Sequence, residues 1–295
     1  MKNSISVVIP NYNGKQLLES NIPSVYHALL SSDISDFEII ISDNCSTDST
    51  FEIAKKYSEK DSRIKVYRHE KGMGAPFNFR YALLKSSSKY FIWLGAHDLL
   101  TQDYLQTGVI YLEENKNVLM VYPKANWIDN QNNFLSELDE DIQTIGISKK
   151  NALIKILKNA DSGVAVHGIY VTSALKAIPF GMDVGGEVLM LFIIAIGGDI
   201  VRLDFIGLLF RLSRSETVLE RLKRYRELKV LKSSFLNFTL IRIQKHLFYT
   251  WKFTGLSVIE KLIVSFHVIK KFMIIQLWIQ YKQYFNKGNI KTVKT

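Results

Sequence analysis

Residues 5–94 alternate short apolar runs with helical patterns, an order that few folds accept. The runs at 5–9, 37–41, 64–67 and 90–94 are rich in β-branched and aromatic residues, as expected of strands buried on both faces. Leu17, Leu18, Ile22, Val25, Leu29 and Leu30 recur at helical spacing after the first run. Helices are also expected at about 49–58 and 76–85. Strict strand–helix alternation predicts an α/β fold, with a parallel sheet joined by right-handed crossovers.

Polar clusters stand where three of these strands should end: Tyr12 and Asn13, residues 43–48, and His97 with Asp98. Ligands of open α/β sheets bind beyond the carboxyl ends of the strands, so the clusters converge on a nucleotide-sized site. Gly72-Met73-Gly74 begins like a dinucleotide fingerprint, but it lacks the third glycine and follows the third strand instead of the first. It reads better as a loop whose backbone approaches a ligand. His97 and Asp98 allow two readings. They hold a divalent metal, or a phosphate through it, or they turn the chain and cap the next helix.

With 47% apolar residues among 295 the chain is globular. A single cysteine, Cys45, rules out an internal disulfide. The first apolar run is too short for a signal peptide, which points to the cytoplasm. Residues 216–295 hold 16 Lys or Arg against 4 Asp or Glu, while residues 1–215 hold 22 against 24. A near-neutral body with a basic tail suggests that the tail meets an anionic surface.

In combination, SVVIPNYNG, FEIIISDNCSTDS, GMGAPFNFRYAL and YFIWLGAHD resemble the family 2 glycosyltransferases with the glycosyltransferase-A fold, among them transferases that build bacterial O-antigens, capsules and lipopolysaccharide. The resemblance covers about 4–130 well and 180–215 more loosely. It implies a catalytic domain over 1–215, with a mostly parallel sheet flanked by helices, acting on a nucleotide sugar, UDP-linked. Pro10, Tyr12 and Asn13 would line the base pocket, and Asp43 would accept a hydrogen bond from the base. Met73, Gly74, Asn78 and Ala96 would run beside the ribose and diphosphate. His97 and Asp98 would hold a divalent cation, manganese in preference to magnesium because imidazole replaces the family's usual carboxylate. Arg211 falls where relatives place a basic residue near the diphosphate. Glu187, or failing it Asp183, would be the base of an inverting transfer. The departure at His97 keeps a rival alive, a non-catalytic binding or scaffold relative.

Residues 216–295 lack proline and read as basic amphipathic helices. The first is expected near 219–226. Lys270 and Lys271 interrupt the last apolar run, so lying in the membrane interface suits it better than spanning. No nucleic-acid reader motif is present. The chain is therefore expected on the inner face of the cell membrane, with a lipid-linked glycan as acceptor.

Overall fold

A computed structural model describes residues 3–178, 186–211 and 235–289. Strands β1 (Ser4–Asn11), β2 (Asp36–Asp43), β3 (Ile64–Arg68) and β4 (Tyr90–Trp93) alternate with helices α1 (Lys15–Leu30), α2 (Thr50–Lys60) and α3 (Ala75–Lys85). β1 pairs in parallel with β2 and β4, and β2 with β3. Every residue of β4 is buried, as its uninterrupted apolar sequence requires. α1 covers the sheet with Leu18, Ile22, Val25 and Leu29, whereas Leu30, expected on the same stripe, is exposed.

Beyond β4 the sheet turns mixed. Next come β5 (Leu99–Leu100), α4 (Tyr104–Glu114), β6 (Val118–Ile128), β7 (Phe134–Leu138), α5 (Lys149–Asn159) and a 3-10 turn at Val164–His167. They are followed by β8 (Ile169–Val171), α6 (Thr172–Lys176), α7 (Gly186–Gly197) and β9 (Asp199–Arg211). The order is β3-β2-β1-β4-β8-β6-β9-β5, with β7 on β6. β8 lies antiparallel between β4 and β6, while β6 and β9 are parallel.

β9 runs well past the apolar stretch at 200–205. Its charged residues do not end it, because Arg202 pairs with Asp139 and Asp204 with Lys124. That extension carries Arg211 to the carboxyl end of the sheet, beside the loop that follows β4.

Helices α8 (Phe235–Phe253) and α9 (Val258–Asn289) form a hairpin turning at Gly255, whose positive φ of 64° suits glycine. Trp251 Nε1 donates to Ser265 Oγ across it, 3.1 Å away. Val264, Val268 and Phe272 of α9 are buried, and Lys271 Nζ reaches Asp161 Oδ1 just after α5 at 2.7 Å. No helix among the described residues is long and apolar enough to cross a membrane. The helix expected at 219–226 lies outside them.

Candidate active site

The turns leaving β1 and β2 are laced together. The Asn13 amide donates to Ser46 Oγ (2.9 Å), Asn13 Oδ1 accepts from the Thr47 amide (2.9 Å), and the Gly14 amide donates to Thr50 Oγ1 (2.9 Å). Asn13 and Cys45 hold positive φ of 50° and 62°, the sharp reversals this lacing needs. Asp43 ends β2 with its carboxylate fully buried. Its Oδ2 accepts from the Ser46 amide (3.1 Å) and lies 3.4 Å from Arg68 Nε, while Oδ1 has no partner. A buried carboxylate oxygen left open costs free energy unless something completes it. Pro10 is buried beneath, and the Tyr12 ring stands 49% exposed at the rim. The third turn hangs on the second, with the Met73 amide donating to Asn44 Oδ1 at 2.9 Å. Gly74 opens α3 at φ 84°, a conformation that glycine adopts readily.

The loop after β4 is fixed from three distant segments. Asn21 of α1 donates to the carbonyls of Gly95 (3.0 Å) and Asp98 (2.6 Å). Asp98 Oδ1 accepts from the Arg211 amide at 2.9 Å. The Arg211 side chain donates through Nε to His97 O (2.8 Å), through Nη1 to Asp129 O (2.5 Å) and through Nη2 to Asn132 Oδ1 (2.5 Å). Behind the loop, His167 is buried against Asp98, with Nε2 3.9 Å from Oδ2. Its Nδ1 lies 2.9 Å from Trp93 O, which assigns the proton to Nδ1 and leaves Nε2 as an acceptor. Burial lowers the His167 pKa. Burial also pushes Asp98 up to about 7, partly offset by Arg211.

The structure places the expected residues as follows. Asp98 is completely buried, with Oδ2 lacking a partner and Oδ1 3.7 Å from His97 Nε2. His97, with its side chain 41% exposed, is the member of the pair that faces outward. Arg211 is buried with three acceptors in two loops, which it clamps together. Asn78 is likewise committed. Its Nδ2 donates to Ser42 O (2.9 Å), and its Oδ1 takes Ser42 Oγ (2.5 Å) and lies 2.9 Å from His69 Nε2, which pins α3 to β2 beneath the site. Ala96 is buried at the loop's foot. Glu187 is half-buried in the first turn of α7. The end of α7 meets the start of β6, where the Asp199 amide donates to Asn117 O at 2.9 Å. Asp183 lies outside the described residues.

Asn21, Arg68 and His167 were not singled out from the sequence. Asn21 left a trace, a polar residue inside the apolar stripe of α1. His167 left none, being one histidine in an apolar stretch.

Among the described residues, no group of three or more His, Cys, Asp or Glu side chains gathers around a point. One outward imidazole fits a cation shared with a diphosphate and water, and does not fit one held by protein alone. A polar cleft of about 240 Å³, between Ser4, Glu38, Lys65 and Ser88, opens at the opposite, amino edge of the sheet. Its Glu38 is already satisfied by Ser6, Ser87 and Lys65.

Gly95 is required by this packing, because a Cβ there would stand 2.3 Å from Asp98 Oδ2, a carboxylate with no room to move. Gly95→Ala is expected to lower unfolding free energy by about 1–3 kcal/mol, the range for overpacking a filled site. Urea denaturation checks this.

Several known proteins resemble this chain. TuaG of Bacillus subtilis, named for a glycosyltransferase role in teichuronic acid biosynthesis, is 31% identical over 110 residues, 37% of this chain and 42% of that protein. TarS of Staphylococcus aureus, a poly(ribitol-phosphate) β-N-acetylglucosaminyltransferase, is 29% identical over 124 residues, 41% of this chain and 21% of TarS. The chain thus spans less than half the length of either relative. The crystal structure of S. aureus TarS in complex with UDP-GlcNAc superimposes with a TM-score of 0.68 at 17% identity, covering 91% of this chain and 72% of that one. At that identity the likeness shows the glycosyltransferase-A type of fold. The family model of glycosyl transferase family 2 matches residues 6–170, more than half of the chain, and the chain belongs to that family.

Proposed function

We propose that the protein is an inverting glycosyltransferase that moves a sugar from a UDP-linked donor to a hydroxyl of a lipid-linked glycan in bacterial surface polysaccharide synthesis. The observation that carries this reading is Asp43 Oδ1, a buried acceptor without a partner, on a strand end paired with Asn11, the residue before the exposed Tyr12. A flat base that stacks on Tyr12 and donates one N–H to Asp43 satisfies both, and uracil offers that N–H. The names of the relatives agree with a sugar nucleotide as donor.

In this reading the acceptor oxygen attacks the anomeric carbon as its bond to the diphosphate breaks, and Glu187 takes the hydroxyl proton. Asp183 is the reserve candidate for that proton. Pro10 and Asn13 shape the base pocket, and Met73, Gly74 and Ala96 bring backbone close to the ribose and diphosphate. His97 would hold a divalent cation, manganese before magnesium, which supplies charge neutralisation for the leaving diphosphate when bound. Asp98 and Arg211 keep His97 in place. Residues 1–215 act as the catalytic unit, and the basic residues 216–295 face anionic lipid at the inner side of the cell membrane.

Asp43→Ala is expected to weaken UDP binding by about 1–3 kcal/mol, the usual cost of leaving a charged hydrogen bond unmade. Calorimetric titration beside a melting curve separates this from loss of fold. Equal UDP affinity in the parent and in a folded Asp43→Ala variant would remove Asp43 from the base pocket.

A further inference from the structure

Helix α9 carries apolar side chains on opposite faces, and among the described residues only one face is covered by protein. Val264, Val268 and Phe272 pack inward. Ile259, Leu262, Phe266, Ile269, Met273 and Leu277 recur at steps of three and four, so they form a single stripe along the helix. All six are exposed, from 37% at Met273 to 71% at Ile259. The stripe spans residues 259–277, about 27 Å of helix. An exposed apolar strip of that size marks an interaction surface.

We infer that this stripe is the surface that seats the protein on an anionic lipid bilayer, with α9 lying in the plane of the interface. The inference rests on the membrane-facing reading above and names the side chains that make the contact. Charge chooses the occupant. Residues 235–289 contain eight Lys or Arg against Glu260 alone. Two copies meeting along this stripe would bring two such basic segments together, whereas anionic headgroups complement them.

The rim has the composition of an interfacial helix. Lys270 is exposed at the edge of the stripe. At the hairpin tip Phe248 and Phe253 are exposed, with Lys252 Nζ 5.2 Å and 5.4 Å from their rings, and Lys261 lies 5.8 Å from the Trp251 ring. Aromatics beside lysines suit the headgroup level, where an apolar body and a charged tip are both accommodated. Lys271, expected from the sequence to face lipid, instead turns to Asp161. That pair fixes the middle of α9 six residues before His167, which backs the His97 loop.

The full chain should float with vesicles of phosphatidylglycerol in phosphatidylcholine at low salt, and much less with phosphatidylcholine alone. Phe266→Glu, and separately Leu262→Glu with Met273→Glu, should weaken that binding about tenfold or more, since each removes apolar burial and adds repulsion. These positions are exposed, so the melting transition and UDP affinity should not change. A parent that ignores anionic vesicles would overturn the inference, as would glutamate variants that float equally well. So would a dimer, seen by light scattering, that Phe266→Glu dissociates while vesicle binding is unaffected, because a second copy would then cover the stripe. UDP titration is read separately, so failure of the sugar-transfer reading is distinguishable from failure of the docking surface.

Discussion

Arg211→Ala is expected to lower the free energy of unfolding by about 3–5 kcal/mol, the range seen when one partner of a buried charge network is removed. The guanidinium joins the His97 loop to the turn after β6, through His97 O on one side and Asp129 O with Asn132 Oδ1 on the other. Its removal leaves three acceptors open and takes away the positive charge beside the buried Asp98 carboxyl. Lysine cannot replace it, because one ammonium does not reproduce a planar fork that serves two loops. Arg211→Lys should therefore recover only a minor part of the loss. Urea unfolding with constant m-value measures both variants. A loss below about 1 kcal/mol for Arg211→Ala would mean that the clamp is not needed to hold the loop.

Glu187→Gln should reduce turnover by about 10²- to 10⁴-fold, the range that a positioned general base contributes. The amide keeps size and shape but cannot accept the proton, so donor binding and stability should stay near the parent values. Glu187 begins α7, where the helix dipole favours the carboxylate. A role confined to that dipole predicts a different result: a small stability loss with turnover intact. Steady-state rates beside a denaturation curve tell the two apart. If Glu187→Gln transfers sugar at the parent rate, the next variant to measure is Asp183→Asn.

The first half of the sheet was legible in the sequence because its strands are parallel and β1, β2 and β4 are buried on both faces, which leaves mainly apolar runs, while β3 is a half-exposed edge strand. The second half was not. β6 contains Pro123, Lys124 and Asn126, and β8 has three residues, so neither shows a periodicity that separates it from loop. β9 carries Arg202 and Asp204 among its apolar residues, and only their partners on other segments reconcile those charges with a strand. Tyr12, Asp43 and His97 could be placed at the carboxyl edge of the sheet because they stand at or just beyond strand ends. The inward facing of Asp98 could not, since it depends on Asn21, His167 and Arg211, which lie 77, 69 and 113 residues away in the chain. The resemblance to a family gave Asp98 and Arg211 roles at the ligand, and the structure adds that both hold the loop that bears His97.

The most direct test of the central claim is release of UDP from a panel of UDP-sugars by the full chain with a lipid-linked glycan acceptor, with and without manganese, for the parent, His97→Ala and His97→Asp. The parent is expected to consume one donor and give a product of inverted anomeric configuration. His97→Ala should lose the manganese-dependent part of turnover while retaining UDP affinity, because the base pocket is built by other turns. His97→Asp should keep activity and accept magnesium more readily. A parent that turns over no donor, while His97→Asp does, would contradict the account and make the protein a non-catalytic relative.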